Sequence, residues 1–296
     1  MKKTGDNIPV RLCLMTVHAH PDDESSKGAC TVALYSKKNI KTVLVCCTGG
    51  EEGDILNPEM DLPEVKENLA DIRSNELANA TKVIGYDEVF KLGYRDSGMP
   101  GSEANSNPDS FVQADFDEAV GRLVKIIREV RPQVIVTYGA DQKGYPHPDH
   151  IKTHEISKAA FFAAPDPNKY TDAGDPFKPL RLFYTVWSKE RFLLVHQKFL
   201  ELGLESPFDQ KWFDRIDNQD EDERPTTSVD VCSVASVRRL ALLEHKTQID
   251  PKSKFWFGLP DDVMDSIYPF DDYHLAEDLS TTKKLPKDDL FEGLYS

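Results

Sequence analysis

The sequence lacks three features, and each absence excludes a class of protein. It has no CxxC pair, and its five cysteines are an odd number, so neither a disulfide framework nor a zinc knuckle is expected. No apolar run approaches the roughly 18 residues of a membrane-spanning helix. Basic residues are scarce, since 36 lysines and arginines face 51 aspartates and glutamates, for a formal net charge of −15. A partner that needs a basic face, such as nucleic acid or an anionic membrane, is therefore not expected.

What remains is the composition of a globular protein. The chain has 296 residues and is 39% hydrophobic, which is enough for a real core. Polar residues follow the basic start Met1-Lys2-Lys3, and no small-residue cleavage site is found, so no signal peptide is expected. Most cysteines lie in apolar stretches, as buried thiols in a reducing compartment do. We predict a cytoplasmic protein, which could form a homo-oligomer.

Apolar strands and amphipathic helices alternate through the first half of the chain, which predicts a doubly wound, mostly parallel α/β sheet flanked by helices. The predicted strands are 12–17, 41–47, 88–92, 132–138, 180–187 and an edge strand at 226–231. The predicted helices are 27–38, 61–84, 116–130, 151–164, 190–202 and 234–246. The acidic stretch 214–224 favours a solvated loop, and irregular structure is expected after 246. We predict a single domain, 1–296, with a core at about 10–165 and a C-terminal part, 166–296, that completes the substrate pocket.

A polar turn rich in acids follows the first predicted strand directly. It reads His-Pro-Asp-Asp-Glu at residues 20–24, and ligands bind at the carboxyl ends of strands in open α/β sheets. Three adjacent acids repel one another, and a metal cation would relieve that repulsion. His20 and Asp23 are then candidate ligands, and Asp22 is left free as a base. The alternative is a solvated acidic turn that caps the next helix.

A second motif, Tyr-Pro-His-Pro-Asp-His at residues 145–150, follows the fourth predicted strand. A hydrolytic zinc site typically has three protein ligands and one open position. The first motif supplies two ligands, and either His147 or His150 supplies the third. The other histidine can then act on substrate, with Asp149 to orient it. Alone, this motif also fits a structured loop with surface histidines, but the two motifs together predict one shared metal site.

Both motifs resemble those of the LmbE-like zinc deacetylases, the PIG-L superfamily. Other segments similar to that family are 25–29, 48–51, 55–58, 96–98 and 247–251, so the resemblance covers roughly residues 12–251. It implies one Zn²⁺ per chain held by His20, Asp23 and His150. Fe²⁺ would also accept two histidines and one carboxylate.

The resemblance also implies which residues act in catalysis. Asp22 would be the general base and His147 the electrophile or acid. Tyr145 would assist His147, and Asp149 would support it. An intact base and acid favour an enzyme over a purely structural metal site.

Four residues are implied to bind the substrate. Arg73, Asp96 and Asp54 would contact its sugar–inositol part, although Asp54 stands where the family usually has the longer glutamate. Arg73 alternatively fits a salt bridge on a helix surface. Lys27, expected on the first turn of a helix, would contact the acyl side. Its alternative is exposure to solvent or pairing with Glu24 or Glu51.

Within the family, the sequence is most similar to the amidase branch that acts on S-conjugates of mycothiol, a pseudo-disaccharide thiol. This similarity implies hydrolysis of the amide on a glucosamine nitrogen, giving a mercapturic acid and glucosaminyl-inositol in thiol-dependent detoxification. Two alternatives stay open. One is a deacetylase of N-acetylglucosaminyl-inositol or a related conjugate in thiol biosynthesis. The other is a non-catalytic metal-binding protein.

Overall fold

The computed structural model describes residues 11–140, 145–217 and 224–295. Within these residues, seven strands form one sheet in the order β3-β2-β1-β4-β5-β7-β6. The strands are β1 Cys13–His18, β2 Lys41–Thr48, β3 Glu88–Tyr94, β4 Val134–Thr137, β5 Arg181–Val186, β6 Thr227–Asp230 and β7 Phe270–Asp278. Strands β1 to β5 run parallel, and β7 runs antiparallel to both β5 and β6. The doubly wound, mostly parallel sheet expected from the sequence is confirmed.

Helices cover both faces of the sheet. In the described residues they are α1 Asp23–Ser26, α2 Ala29–Lys37, α3 Pro63–Glu67, α4 Leu69–Ile84, α5 Phe116–Val130, α6 Pro148–Ala163, α7 Lys189–Glu201, α8 Gln210–Asp217, α9 Ser236–Leu242, α10 Lys254–Phe257 and α11 Asp261–Ile267. Helices α5 and α6 share one apolar core with the sheet, and α2, α4 and α9 share the other. No helix in the described ranges is long and apolar enough to cross a membrane.

The central strands are mostly apolar and almost entirely buried because both of their faces are covered. In β1, Met15 and Val17 point to the α5–α6 side, whereas Leu14 points to the α2 side. A third, aromatic cluster lies apart from the sheet cores, among α7, α8, α10 and α11. The sheet cores hold the two motif-bearing strands β1 and β4 side by side, which positions the candidate site.

Strand β7 lies in the region where the sequence predicted irregular structure, so that prediction was wrong for Phe270–Asp278. The strand is acidic, and its buried carboxylates are satisfied by distant donors. Asp271 accepts from Thr31 N and Thr31 Oγ1, both at 2.9 Å, and pairs with Arg238. Asp272 accepts from Ser228 Oγ at 2.6 Å. Such tertiary partners override the low strand propensity of aspartate.

Several helix boundaries also differ from the predicted ones. The long helix 61–84 is broken at Asn68 into α3 and α4, and 234–246 is helical only over Ser236–Leu242, after a 3₁₀ turn at Cys232–Val234. Helix α6 begins at Pro148 rather than at residue 151. Proline suits the first helical position because it has no N–H to satisfy. Helix α8 overlaps the predicted acidic loop, and residues 218–223 of that loop lie outside the described residues.

Candidate metal centre

The structure brings the two motifs together at one edge of the sheet. The turn after β1 carries His20 and Asp23, and the start of α6 after β4 carries His150. The loop after β3 adds Asp96 to the same place. All four of these side chains are buried. The sequence predicted that both motifs would lie at the carboxyl ends of parallel strands. In the structure, β1 and β4 are parallel neighbours, and their carboxyl ends lie at the same edge of the sheet.

His20, Asp23 and His150 form a compact group whose ligand atoms lie within 4.8 Å of one another. Asp23 Oδ2 lies 3.4 Å from His20 Nδ1 and 3.4 Å from His150 Nε2. Tyr138 OH donates to the same oxygen at 2.7 Å. Among the described residues, buried His150 Nε2 has no hydrogen-bond partner. An orphaned imidazole nitrogen beside a carboxylate and a second imidazole fits a metal with an open coordination position.

The charge states of Asp23 and His150 also fit a metal. Burial would raise the pKa of Asp23, but Lys27 and His150 hold it well below its usual range. Lys27 Nζ lies 2.5 Å from Asp23 Oδ1. Burial lowers the pKa of His150 to about 4. Asp23 is therefore a carboxylate and His150 a neutral imidazole, which are the forms that bind metal.

His20 also belongs to a second group, with Asp96, His147 and Asp149. Its Nε2 lies 3.2 Å from Asp149 Oδ2 and 3.6 Å from Asp96 Oδ1. Burial alone would lower the pKa of His20, but hydrogen bonds to Asp149, Asp23 and Asp96 raise it well above its usual value. A carboxylate on the far nitrogen of a ligating histidine fixes the ring orientation. Asp149 therefore lies where its carboxylate can orient the ring of His20.

This position of Asp149 differs from the expected one, in which it supports His147. Its carboxylate accepts from Ser97 N at 2.9 Å and from Ser97 Oγ. The hydrogen bond between Asp149 and His147 is made by the backbone, because the N–H of Asp149 donates to His147 Nδ1. Helix α6 explains the change, because His147 is its N-cap and Asp149 lies in its first turn.

His147 packs edge-on against His20, with ring centroids 4.5 Å apart. Because its Nδ1 accepts a backbone N–H, the proton of the neutral ring is on Nε2, 3.9 Å from Asp96 Oδ1. Burial, with His20 nearby, lowers the pKa of His147. Tyr145 stacks on His147 at 5.8 Å and is half exposed, at the mouth of the site.

Asp22 lies beside the ligand group without joining it. Its backbone has φ 116° and ψ −24°, an uncommon conformation for a residue with a side chain. Its Oδ2 lies 3.3 Å from Arg73 Nη2. Burial raises the pKa of Asp22, and Arg73 opposes that rise. A carboxylate with a raised pKa is a better proton acceptor.

Arg73 is buried, so the alternative of a surface salt bridge is wrong. It donates to Gly50 O at 2.7 Å and to Pro21 O at 2.5 Å, and so joins the loop after β2 to the acidic turn. A Cβ at Gly50 or Gly53 would lie within 2.4 Å of its guanidinium. The glycines of this loop therefore make room for Arg73.

The two other expected substrate-binding residues are Asp54 and Lys27, and Lys27 is placed differently from expectation. Asp54 is exposed, and no described residue forms a hydrogen bond or an ion pair with it. Lys27 follows α1 as its C-cap instead of opening a helix. A cation is favourable at that end. Its partner is Asp23, not a glutamate, and its Nζ lies 6.0 Å from the ring centroid of Trp187.

Sequence reasoning missed one buried pair next to the site. Glu24 Oε1 lies 2.7 Å from His245 Nε2, and both side chains are fully buried. The two residues are 221 positions apart. Near His245, Thr247 donates to both carboxylate oxygens of Glu76. The similarity of 247–251 to the family was the only sequence signal in this region, and no local pattern joined it to Glu24.

The chain is similar to a known family and to full-length relatives. The family profile described as "PIG-L: GlcNAc-PI de-N-acetylase" matches residues 15–161. A relative from Streptomyces coelicolor named mycothiol S-conjugate amidase is 42% identical, over 96% of this chain and 98% of the relative. A relative from Geodermatophilus obscurus named 1D-myo-inositol 2-acetamido-2-deoxy-alpha-D-glucopyranoside deacetylase is 36% identical, over 95% of this chain and 97% of the relative.

Solved structures share the fold at low sequence identity. The N,N'-diacetylchitobiose deacetylase from Pyrococcus horikoshii has a TM-score of 0.60 at 15% identity, covering 91% of this chain and 86% of its own. GalB, the 4-carboxy-2-hydroxymuconate hydratase from Pseudomonas putida, has a TM-score of 0.59 at 17% identity, covering 93% and 99%. One fold thus carries a deacetylase and a hydratase, so it does not by itself define the reaction.

Proposed function

Because this chain belongs to the PIG-L family and is an enzyme that acts on amides, we propose that it hydrolyses the amide on a glucosamine nitrogen of mycothiol S-conjugates. The products are a mercapturic acid and glucosaminyl-inositol. The observation that carries this proposal is the 42% identity, over almost the full length of both chains, to a relative named mycothiol S-conjugate amidase. The pseudo-disaccharide thiol conjugate is a small-molecule substrate.

The buried histidine and aspartate cluster could hold a metal, and we propose Zn²⁺ at His20, Asp23 and His150. Two imidazoles and a carboxylate also accept Fe²⁺, so the native metal is a question for elemental analysis. When bound, such a metal supplies Lewis-acid polarisation of the amide carbonyl and acidifies water. The fit rests on the orphaned His150 Nε2 and the ionised Asp23 described above.

Three side chains then act on protons. Asp22 takes the proton of the attacking water, since it lies beside the ligands with its carboxylate uncommitted to them. His147 donates from Nε2 to the developing oxyanion, and Tyr145 adds a hydrogen bond from the mouth. One such donor typically contributes ~3 kcal/mol to the stabilisation of the transition state. Asp22, which then holds the proton taken from the water, delivers it to the leaving amine.

For the rest of the substrate, we propose that Asp96 and Arg73 hold the sugar–inositol part, with Asp54 at the exposed rim. Residues 166–296 complete the pocket within one domain. The contact of Lys27 with Trp187 supports this, since Trp187 follows β5. We also propose a cytoplasmic location, supported by the free thiols, four of which are buried.

The test compares two substrates under the same conditions. One is N-acetylglucosaminyl-inositol and the other is a bimane conjugate of mycothiol. We expect kcat/KM to be higher for the conjugate. A preference for the N-acetyl substrate would favour the deacetylase, the name of the 36% identical relative. Bound metal without hydrolysis of either amide would favour a non-catalytic protein.

Lys27 offers a sharper test of the acyl side. An N-acetylcysteinyl group has carbonyl oxygens that an ammonium can bind, whereas a simple acetyl group leaves it unused. Lys27→Ala is expected to lower kcat/KM for the conjugate by roughly tenfold, about 1.4 kcal/mol, and to affect the N-acetyl substrate much less. Lys41→Ala, which removes a surface pair with Glu88, is the control. Equal losses on both substrates would mean that Lys27 serves only Asp23.

A further inference from the structure

The Glu24–His245 pair is a fully buried ionic contact beside the acidic turn, and the mechanism above leaves it unused. Burial alone would lower the pKa of His245, but Glu24 raises it above its usual value. The pKa of Glu24 is lowered in turn, against burial, chiefly by His245. Buried ion pairs often add little stability over apolar residues of similar size. Stability alone is therefore a weak explanation for this pair.

Glu24 has a second contact, and that contact is with the proposed base. While Oε1 faces His245 and accepts from Ser25 Oγ at 2.5 Å, Oε2 accepts from the backbone N–H of Asp22 at 2.9 Å. Both oxygens of the carboxylate are thus fixed by separate donors. His245 fixes the orientation of the Glu24 carboxylate through Oε1. That orientation in turn fixes where Oε2 accepts the N–H of Asp22.

Asp22 needs such support because its backbone is strained. A non-glycine residue with φ 116° adopts a sparsely populated conformation, which persists only where its surroundings determine it. Arg73 binds the carbonyl of Pro21 and the side chain of Asp22, and Glu24 binds the N–H of Asp22. Without Glu24, the N–H of Asp22 loses this acceptor, so the peptide between Pro21 and Asp22, and with it the carboxylate of Asp22, is held less firmly.

We propose that Glu24 and His245 are positioning residues that hold the base Asp22 in its strained, productive conformation, so that the carboxyl-terminal part of the chain sets the geometry of the catalytic turn. The proposal rests on the proposed function, in which Asp22 is the base. It adds two residues to that function, and their proposed role is neither to bind the metal nor to bind the substrate.

The experiment uses the full-length, metal-loaded enzyme and the substrate on which the wild type is active. His245→Leu removes the donor to Glu24, and His245→Gln keeps a donor at similar reach. We expect kcat to fall roughly tenfold to a hundredfold in His245→Leu, since misplacement of a reacting group by about 1 Å costs that much. KM and the metal content should stay within twofold, and His245→Gln should regain most of kcat.

A matched control separates positioning from general stability. Arg181 and Asp278 form another ion pair, between β5 and β7, and Arg181 is fully buried. Asp278→Asn is expected to lower the urea midpoint and to leave kcat unchanged. Unchanged kcat in His245→Leu, or a kcat loss that follows a loss of metal, would overturn the proposal.

Glu24 provides the second variant pair, which decides the matter if His245→Leu does not fold. Glu24→Gln keeps an acceptor for the N–H of Asp22, whereas Glu24→Asp keeps the charge but shortens the reach. We expect Glu24→Asp to lose more kcat than Glu24→Gln, and equal values would overturn the proposal. Failure of the proposed function is seen separately in the wild type, which would then prefer the N-acetyl substrate or hydrolyse neither amide.

Discussion

The amino-terminal half of the described chain, residues 11–163, and the carboxyl-terminal half, 164–295, are built on different principles. In the first half, parallel strands such as β1 and β4 are buried and almost wholly apolar. In the second half, β5 and β7 pair antiparallel and bury charges, including Arg181, Asp271 and Asp272. Apolar packing is non-directional, whereas buried charges require specific partners. The strands of the first half therefore pack mainly through general apolar burial, whereas those of the second half also depend on specific partners.

The candidate chemistry follows the same division. The proposed metal ligands and proton-transfer residues all lie in the amino-terminal half. The carboxyl-terminal half contributes contacts that hold them, through His245 to the acidic turn and through Thr247 to α4. This comparison predicts that substitutions in the first half remove metal or catalysis, and that those in the second act through position or stability.

The largest effect is expected from loss of a proposed ligand in the amino-terminal half. His150→Ala should lose most of its metal, from about one per chain, and its amide hydrolysis should fall to background. Elemental analysis measures the metal content, and an amide assay measures the hydrolysis. The control is His196→Ala in the carboxyl-terminal half, which removes a ring hydrogen-bonded to Ser206. This variant should keep both its metal and its amide hydrolysis. Full metal in His150→Ala would rule out this ligand set.

Loss of the base should be the next largest effect. Asp22→Asn is expected to bind metal normally and to lose 10²- to 10⁴-fold in kcat, the range for a general base. Asparagine tolerates a left-handed backbone, so the turn should keep its conformation. Steady-state kinetics on the metal-loaded variant measure this loss. Turnover near that of the wild type would mean that another group takes the proton.

A smaller effect is expected from Asp149→Asn. Since the carboxylate bonds His20, its loss should weaken metal affinity by about 10- to 100-fold, the usual effect of such outer partners. Competition with a chelator measures the affinity. Ser102→Ala is a nearby control, because it removes a hydroxyl that donates to Ser97 O. If affinity stays constant while kcat falls, Asp149 supports His147 instead, as the sequence first suggested.

The smallest effect should come from the junction between the halves. Thr247→Val removes a hydroxyl donor 2.7 Å from the buried Glu76 carboxylate. An unsatisfied buried acceptor costs about 1–3 kcal/mol, which urea unfolding would measure as a loss of stability with metal content unchanged. Thr282→Val, in the carboxyl-terminal half away from this junction, should change stability by less than about 0.5 kcal/mol. A loss of metal in Thr247→Val would contradict the division of roles between the halves.

The two halves also differ in how far they follow from the sequence. Helix α5 begins and ends at the predicted residues, because its apolar stripe and its N-cap Asp115 are local signals. Strands β1 and β2 are continuous apolar runs and were predicted within a residue. By contrast, β7 was missed because its acids have partners far away in sequence.

Within the candidate site, the sequence predicted which residues meet but not how they pair. Both motifs follow strands, so their meeting at one edge follows from the parallel topology. The partner of Asp149 depends on where α6 begins, and that start lies three residues before the predicted one. The partner of Lys27 depends likewise on α1, a short helix with no periodic signal. His245 carries no local signal at all.

The distance in sequence between Glu24 and His245 has a consequence for folding order. Contacts between residues far apart in the chain form late, because a long loop must close first. While the chain is being synthesised, β1 to β4 can pair before residue 245 leaves the ribosome. The acidic turn acquires its last support only when that residue docks. Activity should therefore return more slowly on refolding than burial of the sheet, and a delay between the two signals would measure the docking step.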